Sequence, residues 1–146
     1  MISGGLSFDD VSGNKGADLI KGNERSDALF GNMGPDTIRG NKGRDSFWGK
    51  KGHDVIFGGR RGDEVRGGKG SDLIRGGANG PNSARFKDRL NGQRGDDDIH
   101  GGEGPDNIAG RDGDDFLNGG ADNDRLSGGD GTDVCTNGER VTGCEE

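Results

Sequence analysis

An apolar side chain recurs every nine residues along most of the chain, always two residues after an aspartate. The apolar positions are Val11, Ile20, Leu29, Ile38, Phe47, Ile56, Val65, Ile74, Leu90, Ile99, Ile108, Leu117, Leu126 and Cys135. The end of each nine-residue unit predicts a very short strand, whose middle residue points inward while its neighbours point outward. Glycine precedes the aspartate by five residues, with Gly76 serving the unit that ends at Asp88, and glycine or asparagine usually follows that glycine. These two residue types tolerate a left-handed backbone, so they predict a tight turn between strands.

One inward apolar residue in nine makes a thin core, which suits two facing sheets whose strands are separated by turns. The predicted fold is all-β, a flattened right-handed parallel β-solenoid with two units in each coil of eighteen residues. Residues 1–146 form one domain, with regular repeats over 1–80 and 88–136 and a degenerate C-terminal cap over 137–146. Sixteen residues separate Asp72 from Asp88, which predicts a loop insertion at 81–87. That loop is either a contact for a partner or an ordinary surface loop.

Composition indicates that this core needs an additional stabiliser. Only 25% of the residues are apolar and 34 of the 146 are glycine, which is typical of disordered or low-complexity chains. Stacked coils would also bring the aspartates into ladders of like charge. A hard dication that prefers oxygen ligands would remove this repulsion and use the carbonyl groups of the turns. The alternative is that each aspartate only caps its own turn through an Asx-type hydrogen bond.

The segment Gly67–Arg75, with the sequence GGKGSDLIR, resembles the GGxGxDxUx motif of the RTX (haemolysin-type) calcium-binding repeat. Gly101–Asp106 and Gly128–Asp133 resemble it equally well. The resemblance implies a parallel β-roll in which several Ca²⁺ ions lie between stacked turns. The implied ligands are turn carbonyl groups and the carboxylates of Asp9, Asp18, Asp27, Asp36, Asp45, Asp54, Asp63, Asp72, Asp88, Asp97, Asp106, Asp115, Asp124 and Asp133.

Successive units alternate between two edges of the predicted roll. The turns that end at Asp9, Asp27, Asp45, Asp63, Asp88, Asp106 and Asp124 form the first edge, and the remaining seven form the second edge. At the fourth position of the unit, every second-edge turn has glycine, whereas the first edge includes Arg25, Arg61 and Asn79. We therefore expect a continuous calcium ladder on the second edge and a degenerate first edge, where arginine substitutes its own charge for an ion. Alternatively, the arginines point outward and the first-edge sites survive.

Charge and outward residues suggest two kinds of partner. Residues 39–94 carry fourteen basic and six acidic side chains, whereas residues 95–146 carry three and fifteen. Outward positions on one predicted sheet form an apolar column that includes Leu19 and Leu73, and Phe30 and Trp48 should stack on the other. The apolar column fits either a contact surface, for self-association or docking on a parent-protein domain, or simple cross-strand stabilisation. No nucleic-acid motif is present, so nucleic-acid binding is not favoured.

The two cysteines, Cys135 and Cys144, lie nine residues apart near the C-terminus and predict a disulfide, with a reduced pair as the alternative. In that register Thr142 occupies the aspartate position of the last unit. A disulfide indicates an extracellular, secreted protein. No run of residues is long and apolar enough to span a membrane, and no catalytic constellation indicates an enzyme.

The sequence therefore predicts a Ca²⁺-binding repeat module that folds on binding calcium between stacked turns. It would act as an extracellular structural, adhesive or assembly domain. The alternative is a calcium-stabilised module that recognises an anionic polymer or a partner protein through its basic middle block and its apolar sheet face.

Overall fold

Sixteen short strands form two eight-stranded parallel sheets in the computed structural model of the protein, which describes residues 1–78 and 85–145. The odd sheet contains β1 (Ile2–Ser3), β3 (Leu19–Glu24), β5 (Thr37–Lys42), β7 (Val55–Arg60), β9 (Leu73–Gly77), β11 (Asp98–Glu103), β13 (Phe116–Ala121) and β15 (Val134–Thr136). The even sheet contains β2 (Asp10–Lys15), β4 (Ala28–Met33), β6 (Ser46–Lys51), β8 (Glu64–Lys69), β10 (Arg89–Arg94), β12 (Asn107–Asp112), β14 (Arg125–Asp130) and β16 (Arg140–Thr142). The chain alternates between the sheets, so the architecture is the expected β-roll. Among the described residues, no helix is long and apolar enough to cross a membrane.

The register places equivalent residues of neighbouring coils directly on one another. Ile20 pairs with Ile38 in the odd sheet, and Leu29 pairs with Phe47 in the even sheet, each eighteen residues apart. All the predicted inward residues from Val11 to Leu126 are buried in a single cluster, with exposed fractions of 6% or less. Cys135 packs against one end of this cluster, where fewer neighbours cover it. The nine-residue period therefore specified the core correctly.

The strands are about twice as long as the three residues that the sequence predicts. Most contain six residues, because pairing continues past the unit boundary into the first residues of the next turn. The second turn position keeps its partner even though its backbone is left-handed, as at Asn23, which has φ 86° and pairs with Asn41. Turn and strand therefore overlap in this roll.

The single long coil lies where the spacing of the aspartates predicts it. The backbone N–H of Asp63 donates to Oδ1 of Asp88, a separation of 25 residues where eighteen is the rule. A Cβ built on Gly62 would lie 2.5 Å from the carbonyl oxygen of Lys87, so Lys87 stacks on Gly62 within the regular coil. The inserted segment therefore ends before Lys87. Residues 81–84 of the predicted loop 81–87, and Asn79, lie outside the described residues.

The outward columns follow the predicted register. Phe30 and Trp48 stack with their ring centroids 4.5 Å apart, and the guanidinium group of Arg66 lies over the Trp48 ring. In the odd sheet, Leu19 pairs with Thr37, and the apolar column continues to Leu73 in half-buried positions. Only its far end, at Phe116 and Val134, is exposed. Cross-strand packing thus accounts for most of this column.

The last turn is three residues shorter than the repeat, which corrects the predicted register of the cap. Leu126 pairs with Val141, fifteen residues later, so Val141 rather than Cys144 continues the inward column. Cys144 nevertheless forms a disulfide with Cys135, with a Cα–Cα distance of 5.8 Å. The bridge fastens the last turn to the final strand of the odd sheet.

Candidate metal centre

The aspartates form two ladders, one along each edge of the roll. In each ladder the backbone N–H of one aspartate donates to Oδ1 of the aspartate on the next coil. Asp54 donates to Asp72 at 2.8 Å, and Asp72 donates to Asp97 at 2.7 Å. Twelve such bonds connect all fourteen predicted aspartates into the two edges. The nine-residue spacing therefore brings the predicted carboxylates together, although each edge holds its own set.

The second carboxylate oxygen of these residues lacks any partner. Oδ2 is buried without a hydrogen bond in thirteen aspartates, from Asp18 to Asp133, within the described part of the chain. Asp9, in the first coil, is the exception because its Oδ2 accepts from the backbone N–H of Gly5 at 2.6 Å. Buried polar atoms in folded proteins are almost always satisfied. Two rows of orphaned anionic oxygens therefore require an explanation.

The orphaned oxygens face small spaces that side chains do not fill. A Cβ built on Gly67 would overlap Oδ2 of Asp72 and would lie 2.8 Å from the carbonyl oxygen of Gly92 on the next coil. The carboxylate and the carbonyl thus border the same space, which only glycine leaves open. Gly22 has the equivalent arrangement on the first edge, with Asp27 and Gly40. Carboxylate and carbonyl oxygens are the ligands that Ca²⁺ prefers.

Burial makes these carboxylates reluctant to ionise. It raises the pKa of Asp72 to about 7, that of Asp97 to about 8 and that of Asp63 to about 9. The backbone hydrogen bond lowers each pKa, and neighbouring carboxylates of the same ladder raise it again. Burial also raises the pKa values of Asp45, Asp54, Asp88, Asp106 and Asp115, and those of Asp27, Asp36 and Asp124. A cation beside Oδ2 would favour the ionised form of every member.

Comparison with protein families identifies this arrangement. The family model of the RTX calcium-binding nonapeptide repeat, four copies long, matches residues 3–38, 30–60, 57–79, 85–108 and 100–135. The chain is an RTX repeat protein. No curated protein matches the full sequence significantly. Membership of this family implies calcium binding, and it explains why a charged residue keeps the same place in every unit of the RTX roll.

The residues present fit calcium through backbone and side-chain oxygens together. Among residues 1–78 and 85–145, no group of three or more His, Cys, Asp or Glu side chains could hold a metal ion. An ion in this RTX roll would therefore depend on carboxylates of its ladder and on turn carbonyl groups. This donor set is present beside Gly67, where Oδ2 of Asp72 and the carbonyl oxygen of Gly92 lie together. We call this arrangement, and its equivalents in other turns, the cradle.

The two edges differ in how their turns are held. On the second edge, six glycines that lie two residues before an aspartate each donate their N–H to a carbonyl group of the next coil, at 2.8 to 2.9 Å. They are Gly16, Gly34, Gly52, Gly70, Gly95 and Gly113. On the first edge, the described residues contain only one such bond to a carbonyl group, from Gly43 to Arg60 at 3.3 Å, and Gly104 donates instead to Oδ2 of the Asp122 side chain at 3.1 Å. The turns of the second edge are therefore more firmly fixed between coils, as the uniform glycine column suggested.

The first-edge arginines behave differently from the sequence-based expectation. Arg25 and Arg61 adopt the left-handed backbone of the glycines they replace, with φ 73° and 79°. Arg25 lies over the ring of Phe8, and neither arginine forms an ion pair with a ladder carboxylate in the described structure. The expectation that these arginines substitute for an ion is therefore wrong. The first-edge cradle remains open, as at Gly58 beside Asp63.

Glu139 is a ladder residue that the nine-residue pattern missed. Its Oε2 accepts from the backbone N–H of Asp124 at 2.5 Å. Glu139 therefore takes the ladder position that the sequence predicts for Thr142 in the last unit. The sequence Glu139-Arg140-Val141 keeps the spacing of a carboxylate two residues before an apolar side chain. A search for that spacing, without the fixed period, would have found it.

Proposed function

We propose that this protein is an extracellular structural module whose roll folds when calcium binds between its coils. The observation that supports this most directly is the two rows of buried Oδ2 atoms without partners. Burying an unpaired carboxylate costs several kcal/mol, so the ionised ladders oppose folding in the absence of a cation. Calcium would supply the missing positive charge and complete the environment of these oxygens. The fourteen predicted aspartates would hold it together with carbonyl groups of the glycine-rich turns.

An extracellular location is supported by the disulfide at the end of the roll. The bridge between Cys135 and Cys144 would persist in an oxidising compartment. Extracellular calcium is also abundant enough to fill repeat sites of modest affinity, which the extracellular class of calcium modules typically has. The side chains of the ladders are committed to the roll, so we infer a structural or assembly role rather than an enzymatic one.

Removing calcium is expected to unfold the roll. In a chelator near pH 8 the far-UV circular dichroism should show a largely disordered chain, and added Ca²⁺ should restore β structure in a cooperative transition. Mg²⁺ at the same concentration is the control. It demands a small octahedral site and retains its water, so it should restore little structure. A chain that is fully folded in chelator, or that folds equally in Mg²⁺, would contradict the proposal.

We infer that calcium fills the second edge before the first. The second-edge turns are fixed by their ladder of backbone hydrogen bonds, whereas Arg25 and Arg61 add positive charge to the first edge. A unit charge some 8 Å from a dication changes its binding free energy by on the order of 1 kcal/mol in water, or about fivefold in affinity.

Replacing Arg61 with glycine should therefore tighten the weaker class of calcium sites several-fold, because the change also removes a strained left-handed side chain. Isothermal titration calorimetry resolves the two classes of site. The control is Arg60→Gln, which removes a neighbouring charge from a residue whose backbone is not left-handed. A single class of identical sites in the unmodified protein would overturn the inference.

The alternative function, recognition of an anionic polymer through the basic middle block, has less support. Several basic side chains of that block pack on the roll itself. Arg39 lies over Phe57, Lys50 over Phe30, and Lys42 pairs with Glu24. These contacts commit part of the middle block to the outer faces of the sheets.

A further inference from the structure

A depression of about 630 Å³ lies on the outer face of the even sheet, towards the C-terminal end of the roll. Five arginines line it: Arg66, Arg89, Arg111, Arg125 and Arg140. They rise from β8, β10, β12, β14 and β16, one from each of five consecutive strands of the sheet. Small side chains such as Ala109 and Ser127 lie between the arginines and form the bottom of the depression. We call this depression the arginine groove.

The groove is basic although the part of the chain that forms most of it is acidic. Residues 95–146 contain only three basic side chains, Arg111, Arg125 and Arg140, and all three line the groove. The same segment contains fifteen acidic residues, and none of those that the structure describes lines the groove. The one carboxylate among the described lining residues is Glu64, which pairs with Arg66 at 2.8 Å. The groove is therefore a positively charged strip on the most acidic part of the chain.

Most of this charge is free to bind a ligand. Arg89, Arg125 and Arg140 are exposed, and their guanidinium groups form no hydrogen bond or ion pair with any part of the chain that the structure describes. Arg111 is oriented by Asn91, whose amide oxygen accepts from Nε at 2.9 Å and from Nη2 at 3.2 Å. Guanidinium groups present a planar fork of donors that matches carboxylate and sulfate oxygens.

The arrangement suits a linear ligand that lies along the roll axis. Arg89, Asn107 and Arg125 occupy one outward column on consecutive coils, and Arg140 continues it. Strand spacing of about 4.8 Å separates Arg89 from Arg125 by about 10 Å, so successive anionic groups of an extended chain could each meet a guanidinium group. A compact single anion would contact only part of this row.

The neutral side chains of the groove favour a ligand that also carries hydroxyl groups. Asn107 lies between two arginines, and its Oδ1 is buried without a partner in the described structure. Ser127 and Thr142 add hydroxyl groups to the parallel column. Base stacking is not offered nearby, because Phe30 covers one face of Trp48 and Arg66 the other.

We propose that the arginine groove binds a linear acidic polysaccharide, with its carboxylate or sulfate groups on Arg89, Arg125 and Arg140. Hydroxyl groups of the sugar would face Asn107, Ser127 and Thr142. The site needs the folded roll but no calcium ligand, since none of the ladder aspartates lines the groove. The module would then attach to an anionic matrix through one face while calcium stabilises its edges.

The test is binding by the full chain in calcium at low salt, measured by biolayer interferometry on immobilised polysaccharides. Hyaluronan, which carries only carboxylates, and chondroitin sulfate, which also carries sulfates, distinguish the two anionic sources. Dextran is the uncharged reference. We expect saturable binding to one or both acidic chains, weakened as salt rises, and none to dextran.

Replacing Arg89, Arg125 and Arg140 together with glutamine should weaken this binding at least tenfold, since exposed charge pairs each contribute up to about fivefold. The matched control replaces Lys21, Arg39 and Arg75 of the odd sheet with glutamine, which makes the same change in net charge on the opposite face. Equal losses in both variants, no binding by the unmodified protein, or tighter binding to polyglutamate or single-stranded DNA would overturn the proposal. Circular dichroism of each variant during a calcium titration tests the calcium proposal separately, so the two failures are distinguishable.

Discussion

Replacing Asp72 with asparagine is expected to destabilise the calcium-loaded roll and to stabilise the metal-free one. Asp72 is 3% exposed, and its Oδ2 faces the cradle beside Gly67 without a partner. Asparagine can still accept the hydrogen bond from Asp54 through its amide oxygen, so the ladder geometry survives. It removes one anionic ligand, which should raise the calcium concentration at the folding midpoint about tenfold, or by about 1.4 kcal/mol.

Without calcium the same substitution removes a buried charge that neighbouring carboxylates oppose. When the calcium-stripped chain is acidified from about pH 8, the variant should therefore regain β structure at a higher pH than the unmodified protein. Asp130→Asn is the matched control, because Asp130 is exposed and its side chain makes no hydrogen bond within the described residues. It should shift neither transition by more than about 0.5 kcal/mol. Destabilisation of Asp72→Asn both with and without calcium would mean that this carboxylate only caps its turn.

The fold could be predicted from the sequence because one period carries both the core and the ladders. Ile74 and Asp72 each recur at a fixed spacing, and stacking eighteen-residue coils superposes them without any further information. Side-chain direction follows from the alternation of the strand, which also placed Phe30 on Trp48. Each of these predictions needed only local geometry repeated many times.

The predictions that failed depend on places where the repetition stops. The final turn loses three residues, so Glu139 and Val141 take positions that a strict period gives to Thr142 and Cys144. The orientation of Arg25 over Phe8 depends on a contact between neighbouring coils that no repeat encodes. The arginine groove joins side chains from five coils and three columns, and only the register of the folded sheet shows that they share one surface.

Acidification is expected to stabilise the metal-free roll. Burial raises the pKa of Asp54 to about 6, that of Asp88 to about 7 and that of Asp106 to about 8, against about 3.9 for an unfolded aspartate. Between these limits the folded chain binds more protons than the unfolded chain, so the free energy of unfolding falls as pH rises. This stability is fully present below about pH 4 and is lost as pH rises through the range from about 6 to about 9. Calcium-stripped protein, which should be largely disordered near pH 8, should therefore regain β structure in far-UV circular dichroism as the pH falls to about 5.

The calcium-loaded roll should show the opposite dependence, because calcium and protons compete for the same carboxylates. Its denaturation midpoint should rise between about pH 5 and about pH 8, and calcium binding near pH 7 should release protons that a weakly buffered titration detects. The chain also contains two histidines, His53 and His100, so a variant with glutamine at both positions serves as the control. That variant should retain both slopes. If the metal-free protein instead loses stability on acidification, the buried aspartates are ionised without calcium, and a cation is not what the ladders lack.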